Sequence, residues 1–316
     1  MSIRLLGIEI GGTKIQVFLA DGDGKDGEIK IIERHKFFVG LEKEAASIRN
    51  KIKENVSNIL KKNKIDAIGV GFGGPVDYRT GIIITSHQVR GWTGFHLGEW
   101  LSELTNIPVV VDNDANTAAL GEAHLGAGKN CSRVFYITLG SGVGGGLVFD
   151  GEIYHGYKPV EAEIGHVRLE KSGKTVEDSC SGWAVDKKIR NYIKSKPDSI
   201  IAGIVGNKKS GESKYLVQAI ELGDEGANRI LQETADDLAF GLSHAVHILH
   251  PGVIILGGGL SLVGNPLREV VEKALRNYLM DAITPPPINI AELKEDAVCI
   301  GAALIAKKHL NNLKYK

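Results

Sequence analysis

IEIGGTKIQVFLAD (Ile8–Asp21) and ITLGSGVGGGLVFD (Ile137–Asp150) follow one plan. In each, an apolar run enters a glycine-rich turn, a second apolar run leaves it, and an acidic residue closes the unit. The reading of that plan decides the fold. GSGVGG (Gly140–Gly145) has the letters of the dinucleotide fingerprint, but that fingerprint needs a helix after its glycines so that pyrophosphate meets a helix N-terminus. Here Gly146–Phe149 continues as a strand. IGGTK (Ile10–Lys14) lacks the spacing of a P-loop. What remains is a glycine hairpin tip carrying hydroxyls, with open backbone N–H groups suited to a phosphate. Taken singly, each tip is a tight turn. Two tips in echoing positions, with a third glycine cluster at Gly257–Gly259, point to phosphate binding.

Between these landmarks the pattern alternates. Leu5–Ile10 and Lys14–Asp21 read as strands, and DGDGKDG (Asp21–Gly27) as the turn that closes them. From Leu41 to Lys64, apolar residues recur at spacings of three and four, which predicts an amphipathic helix. IDAIGVGFGGPVD (Ile65–Asp77) is a buried strand running into a glycine-proline loop, PVVVD (Pro108–Asp112) another strand, and Asn116–Leu125 a helix. The second half repeats the alternation: strands at Arg133–Gly140 and Gly146–Gly151, a helix at Leu231–Leu249, a strand at Val253–Gly259 and a closing helix at Cys299–Leu310. Strands alternating with helices give an α/β fold, with ligands at the carboxyl ends of the strands.

Composition narrows the classes. A chain of 316 residues fits two domains of ~100–200 residues each. Glycine, at 40 residues, is about twice the ordinary ~7 % usage, as tight turns and close backbone–ligand approaches require. Lys+Arg and Asp+Glu both number 38, so the zero net charge supports neither a nucleic-acid nor a membrane partner. Three scattered cysteines without a CxxC pair read as reduced thiols. No signal-peptide core and no ~20-residue apolar run is present, so a cytoplasmic location is expected. His244, His247 and His250 step by three, drift around a helix and do not share one tight face, which argues against a metal site.

Two domains, each with a phosphate-gripping hairpin, resemble the actin-like ATPase (ribonuclease H-like) fold shared by sugar kinases and heat-shock chaperones. The motifs EIGGTK, GFGGPVD, RGWTGF, DNDANTAALGE, TLGSGVGGGLVFDGEIYHG, EIGHV and VIILGGGLS follow in order from Glu9 to Ser261. Together they resemble the ROK family over nearly the whole chain, and its glucokinase-type sugar kinases most. The resemblance implies an α/β protein with an interdomain cleft that closes on the sugar. It implies an N-terminal domain over 1–115, a larger C-terminal domain over 116–298, and a closing helix of about 299–316 packed back on the first.

It further implies an ATP-dependent kinase acting on the 6-hydroxyl of glucose or a similar hexose, with Mg²⁺. Asp114 would be the general base and Asn113 a sugar ligand, with Gly74 in the wall of the sugar site and Glu163, His166 and Glu177 on the sugar ring. Gly11, Gly12, Thr13, Lys14, Thr138, Gly140, Ser141 and Gly142 would hold ATP phosphates, with adenosine near Gly257, Gly258 and Gly259. Bland alternatives stand beside these: Asp112 or Asp114 as a helix cap, Glu177 as a surface charge, Trp92 as a core residue. Glu9 stands where the family usually carries Asp, and would reach Mg²⁺ through water. Gln88 stands where Asn is frequent. The interval Val167–Val176 lacks the cysteines of the family's zinc loop, so no zinc is expected. N-acetylmannosamine, fructose or mannose as acceptor, and polyphosphate as donor, remain alternatives. A sugar-sensing regulator is disfavoured because the hairpin begins at Leu5 and leaves no room for a DNA-binding segment. A homodimer or larger homo-oligomer is the expected assembly.

Overall fold

The structure, a computed structural model, describes residues 3–22, 28–40, 44–86, 88–157 and 159–314. Leu41 of the first expected helix and most of the DGDGKDG turn lie outside them. The chain forms two compact units. One gathers Met1–Lys129, Gly146–Glu161 and Glu295–Lys316; the other is Asn130–Gly145 with Ala162–Lys294.

The first unit is built on a five-stranded sheet. Its elements are β1 (Arg4–Ile10), β2 (Lys14–Asp21), β3 (Lys30–Phe38), α1 (Ala45–Leu60), β4 (Ala67–Phe72), the short pair β5 (Val76–Asp77) and β6 (Ile82–Ile83), α2 (Leu97–Thr105), β7 (Val109–Asn113) and α3 (Asp114–Leu125). The sheet order is β3-β2-β1-β4-β7. β1 pairs antiparallel with β2 and parallel with β4, which pairs parallel with β7. Leu6, Ile8 and Ile10 join the core under α1 and α2, while Leu5, Phe18 and Ala20 join a second core on the opposite face. Cover on both faces is why these strands read as continuous apolar runs rather than alternating ones.

The second sheet follows the order β10-β9-β8-β11-β12. It comprises β8 (Arg133–Leu139), β9 (Val143–Phe149), β10 (Glu152–Ile153), β11 (Val253–Gly257) and β12 (Ile288–Ile290). The division between the units falls inside β9, after Gly145. Helices α4 (Val176–Cys180), α5 (Gly182–Ser195), α6 (Ile200–Val205), α7 (Leu216–Glu221), α8 (Glu225–Leu249) and α9 (Asn265–Leu275) belong to the second unit, and α10 (Ala297–Lys314) to the first. Asp224 caps α8 by accepting from the Ala227 N–H at 2.9 Å, so this helix starts six residues before its apolar pattern becomes legible. Among the described residues, no helix is long and apolar enough to cross a membrane.

The opposite face of the first sheet is closed by α10, which contributes Cys299, Ala302, Ala303 and Ala306 to that core. α10 and α3 meet through glycine. A Cβ on Gly301 would fall on the carbonyl of Thr117, and one on Gly121 would lie 2.5 Å from the carbonyl of Ala297. These backbones cannot separate without opening the core. Gly301→Ala should therefore destabilise the protein by about 2 kcal/mol in urea unfolding, through overpacking. Helix propensity alone predicts the opposite sign, a gain of about 1 kcal/mol, so a stabilised variant would contradict this packing.

Candidate functional site

β1, β4 and β7 are neighbours in the first sheet, and the residues at their carboxyl ends gather accordingly. After β1 comes the turn Gly11–Lys14, closed by the Gly11 N–H donating to the Lys14 carbonyl at 3.0 Å. After β4 comes Gly73-Gly74-Pro75, anchored by the Gly73 N–H on the Ile10 carbonyl at 2.8 Å. After β7, α3 begins at once.

Asn113 makes that junction. Its side-chain oxygen accepts from the N–H groups of Ala115 and Asn116, at 2.8 and 3.2 Å, and its amide nitrogen donates to the Gly74 carbonyl at 3.0 Å. The helix cap is thus Asn113, with extended backbone angles, rather than Asp112 or Asp114. For that reason α3 starts two residues before the expected Asn116. Asp114 is the first helical residue, and its Oδ2 lies 3.2 Å from where a Cβ on Gly73 would stand. A Cβ there would be tight against the carboxylate, which would have to give by a few tenths of an ångström.

Asp112 has a different task. It is buried, and its Oδ1 accepts from the Asn116 amide at 3.0 Å while its Oδ2 lies 2.7 Å from His155 Nε2. A carboxylate only accepts, so Nε2 carries the hydrogen. The Asn116 amide also donates to Glu161 at 2.6 Å, and the His155 ring stacks on Tyr78 with centroids 3.6 Å apart. Nothing in the local sequence announces this network, because His155 lies 43 positions from Asp112 and Glu161 lies 45 from Asn116; a carboxylate at the end of a buried strand is its one visible signal. A cavity of about 1020 Å³ borders Tyr78, Asp112, His155 and Lys308, and includes none of the residues assigned to phosphate or sugar.

Glu9 is engaged at the end of β1. Its Oε1 lies 3.5 Å from Lys14 Nζ, and its Oε2 accepts from Gln16. The Gln88 side chain lies over Gly12, so this departure from the family pattern touches the first glycine turn. Trp92 is buried, with edge-on contacts to Phe72 and Phe95, which makes it a core residue.

In the second unit, β8 and β11 are paired with Thr138 opposite Gly257, so Thr138–Gly142 and Gly257–Gly259 end side by side. Gly258 has φ +79°, and a Cβ there would lie 2.6 Å from the backbone of Leu139. The Gly140 N–H donates to the Gly142 carbonyl at 2.9 Å, closing the β8–β9 tip. Glu177 lies on that tip, its Oε2 accepting the Val143 N–H at 2.8 Å. Its carboxylate is therefore no idle surface charge. Glu163 precedes the single turn Ile164–His166, whose Gly165 packs against the Val143 backbone, and His166 is exposed.

The cysteine-free interval between His166 and Glu177 folds as a small hairpin. The Leu169 N–H donates to the Lys174 carbonyl at 2.8 Å, and the Val176 N–H to the Val167 carbonyl at 3.0 Å. Thr175 and Asp178 form a reciprocal capping box at the start of α4, and donation from the Thr175 hydroxyl and backbone N–H holds the Asp178 carboxyl below its ordinary range. The Cys180 thiol is buried, and burial pushes it up to about 12. Among the described residues, no group of three or more His, Cys, Asp and Glu side chains is placed to hold a metal ion. His244 and His247 bond back to the carbonyls of Phe240 and Ser243, at 2.9 and 2.7 Å, and His250 ends α8 in the left-handed conformation.

With this geometry in view, comparison with known proteins is specific. The sequence pattern of the ROK family matches residues 5–309. The glucokinase of Thermotoga maritima is 30 % identical over 98 % of both chains. The glucokinase of Halalkalibacterium halodurans is also 30 % identical, over 98 % of this chain and 96 % of its own. A crystal structure of a ROK family glucokinase from Streptomyces griseus, in complex with glucose and AMPPNP, superposes with a TM-score of 0.83 at 27 % identity, over 98 % of this chain and 100 % of that one. The two-domain α/β architecture is the actin-like ATPase fold of sugar kinases.

The capping assignment is open to direct test. Asn113→Ala should cost about 1 kcal/mol of stability or somewhat more, since the cap and the bond to Gly74 go together. Asp114→Ala should cost no more than a few tenths of a kcal/mol, its share of the helix-dipole interaction. Denaturant unfolding of the two variants would reverse in order if Asp114 were the cap.

Proposed function

Because this chain belongs to the ROK family, we propose that it is an ATP-dependent hexose kinase that phosphorylates the 6-hydroxyl of glucose or a similar hexose. The observation that carries the reading is the placement of Asp114: a carboxylate on the first residue of a capped helix, against Gly73 and beside the glycine turn that follows β1. The names of the Thermotoga and Halalkalibacterium relatives and the ligands of the Streptomyces structure support ATP and glucose as the substrate classes.

In this reading the glycine turns at Gly11–Lys14 and Thr138–Gly142 give backbone N–H groups and the hydroxyls of Thr13, Thr138 and Ser141 to the phosphates, and Gly257–Gly259 borders the adenosine. The opening beyond Gly259 suits that role, since a Cβ there would meet nothing within 4 Å. Glu163, His166 and Glu177 hold the sugar hydroxyls, and the second amide hydrogen of Asn113 is directed to one of them. Asp114 takes the proton of the 6-hydroxyl as its oxygen bonds to the γ-phosphorus and the bond to the ADP oxygen breaks. Positioning and charge neutralisation supply most of the acceleration in such transfers. Magnesium bound with the nucleotide would neutralise phosphate charge. Glu9 fits a water-mediated share in holding it, because Oε1 carries only the long contact to Lys14 and one carboxylate with waters and phosphates is an ordinary Mg²⁺ environment.

Asp114→Asn should lower turnover by about 10²–10⁴, the usual worth of general-base catalysis, while nucleotide and sugar still bind. A coupled ADP-release assay over a panel of hexoses checks this, and near-wild-type turnover would remove the base from the mechanism.

The hairpin at 167–176 closes by hydrogen bonds and carries no cysteine, which supports a zinc-independent enzyme. Elemental analysis of the purified protein should find no stoichiometric zinc, and chelation followed by excess Mg²⁺ should restore full activity. One tightly held zinc per chain would overturn that expectation.

A further inference from the structure

The β8–β9 turn has glycine at positions 140 and 142, whose backbones have more conformations open to them than those of other residues. The segment Glu177–Gly182 holds it on both sides. Glu177 Oε2 accepts the Val143 N–H at 2.8 Å, and the Gly182 N–H donates to the Gly140 carbonyl at 2.7 Å. A Cβ on Gly142 would land on the Glu177 carboxylate, with Oε2 as its nearest atom and Oε1 3.8 Å away. The carboxylate therefore lies against the face of the glycine. Its own position is fixed from behind by the Thr175–Asp178 capping box and by buried Val176 and Cys180 on either side.

A carboxylate is a poor neighbour for a phosphate, since like charges at short range repel. A residue with no task but to read a sugar would be better placed away from the nucleotide turn. The geometry points to a second role: we infer that Glu177 is a positioning residue for the nucleotide, holding the Gly140–Val143 turn in its phosphate-binding shape through Oε2 while Oε1 remains for a sugar hydroxyl. This rests on the kinase reading above. One side chain then serves both substrates, so binding of either orders the contact used by the other, and the coupling is reciprocal.

The charge argument gives the inference a sign. Glu177→Gln keeps an oxygen to accept the Val143 N–H and removes the negative charge. Its affinity for a non-hydrolysable ATP analogue with Mg²⁺, measured calorimetrically without sugar, should equal or exceed that of the wild type. Glu177→Ala removes the acceptor and should weaken binding by about tenfold or more, as expected for a hydrogen bond to a charged group. Glu177→Asp keeps the charge but withdraws it by one methylene, and should behave like Ala. If Ala does not fold, the contrast between Gln and Asp carries the same test. Affinity for the analogue that is unchanged in all three variants, with only sugar binding lost, would overturn the assignment and leave the kinase reading standing. Wild-type protein that binds no nucleotide would overturn the kinase reading, and this assignment with it.

Discussion

The amide of Asn113 is the contact on which the first unit's site depends. Its oxygen serves two N–H groups of α3 and its nitrogen serves the Gly74 carbonyl, so one planar group joins the end of β7, the start of α3 and the loop after β4. A helix N-terminus leaves its first N–H groups without intrahelical partners. Two of them are satisfied by Asn113, the residue just before Asp114. Under it, Asp112 is tied to Asn116 and His155, so the strand end is fixed from below as well. Three consecutive polar residues thus divide the work: one anchors, one caps, and the third faces the glycine loop.

Glycine serves two distinct physical ends in this chain. In the turns it exposes backbone N–H groups; between helices it lets backbones meet. Gly121 and Gly301 belong to the second kind, and they set how close α3 can lie to α10. Composition alone shows only the excess. Position relative to a strand end distinguishes the kinds, and that is why the two hairpins were readable while the α3–α10 contact was not. It pairs residues 180 positions apart, and neither stands in a turn pattern.

The same physical reason governs the rest of what was legible. Strands covered on both faces stand out as continuous apolar runs and long helices by their period, so β1, β2, β4, β7, β8, β11 and α8 could be placed from sequence, with ends shifted by a few residues where side-chain caps act. Short elements such as β10, α4, α6 and α7 have too few residues to show a period. Among the site residues, identities were visible through motifs, but partners were not. Asn113 as cap and Glu177 on the Val143 N–H are relations between side chain and backbone. Only the second of them spans a long interval, 34 residues, and no spacing rule reaches so far.

The stretch before Glu177 carries no cysteine, and in the zinc-independent reading proposed above its own contacts must do what a metal would. A structural zinc site is worth about 10–16 kcal/mol to the fold that closes around it. The hairpin at 167–176 is closed by a few backbone hydrogen bonds and the Thr175–Asp178 box, each net worth about 1 kcal/mol. The depressed carboxyl of Asp178 adds stability above its unfolded-state titration range and loses it as pH falls through the folded one. Since Asp178 is largely exposed, that addition is small. In that zinc-independent reading, local opening of the hairpin costs far less than it would around a metal. Burial supplies the remaining rigidity: Val176 and Cys180 are fully enclosed, and they flank the glutamate on its short helix. The carboxylate that reaches the β8–β9 turn is thus held by apolar packing on its own helix, and the hydrogen-bonded hairpin before it acts as a tether.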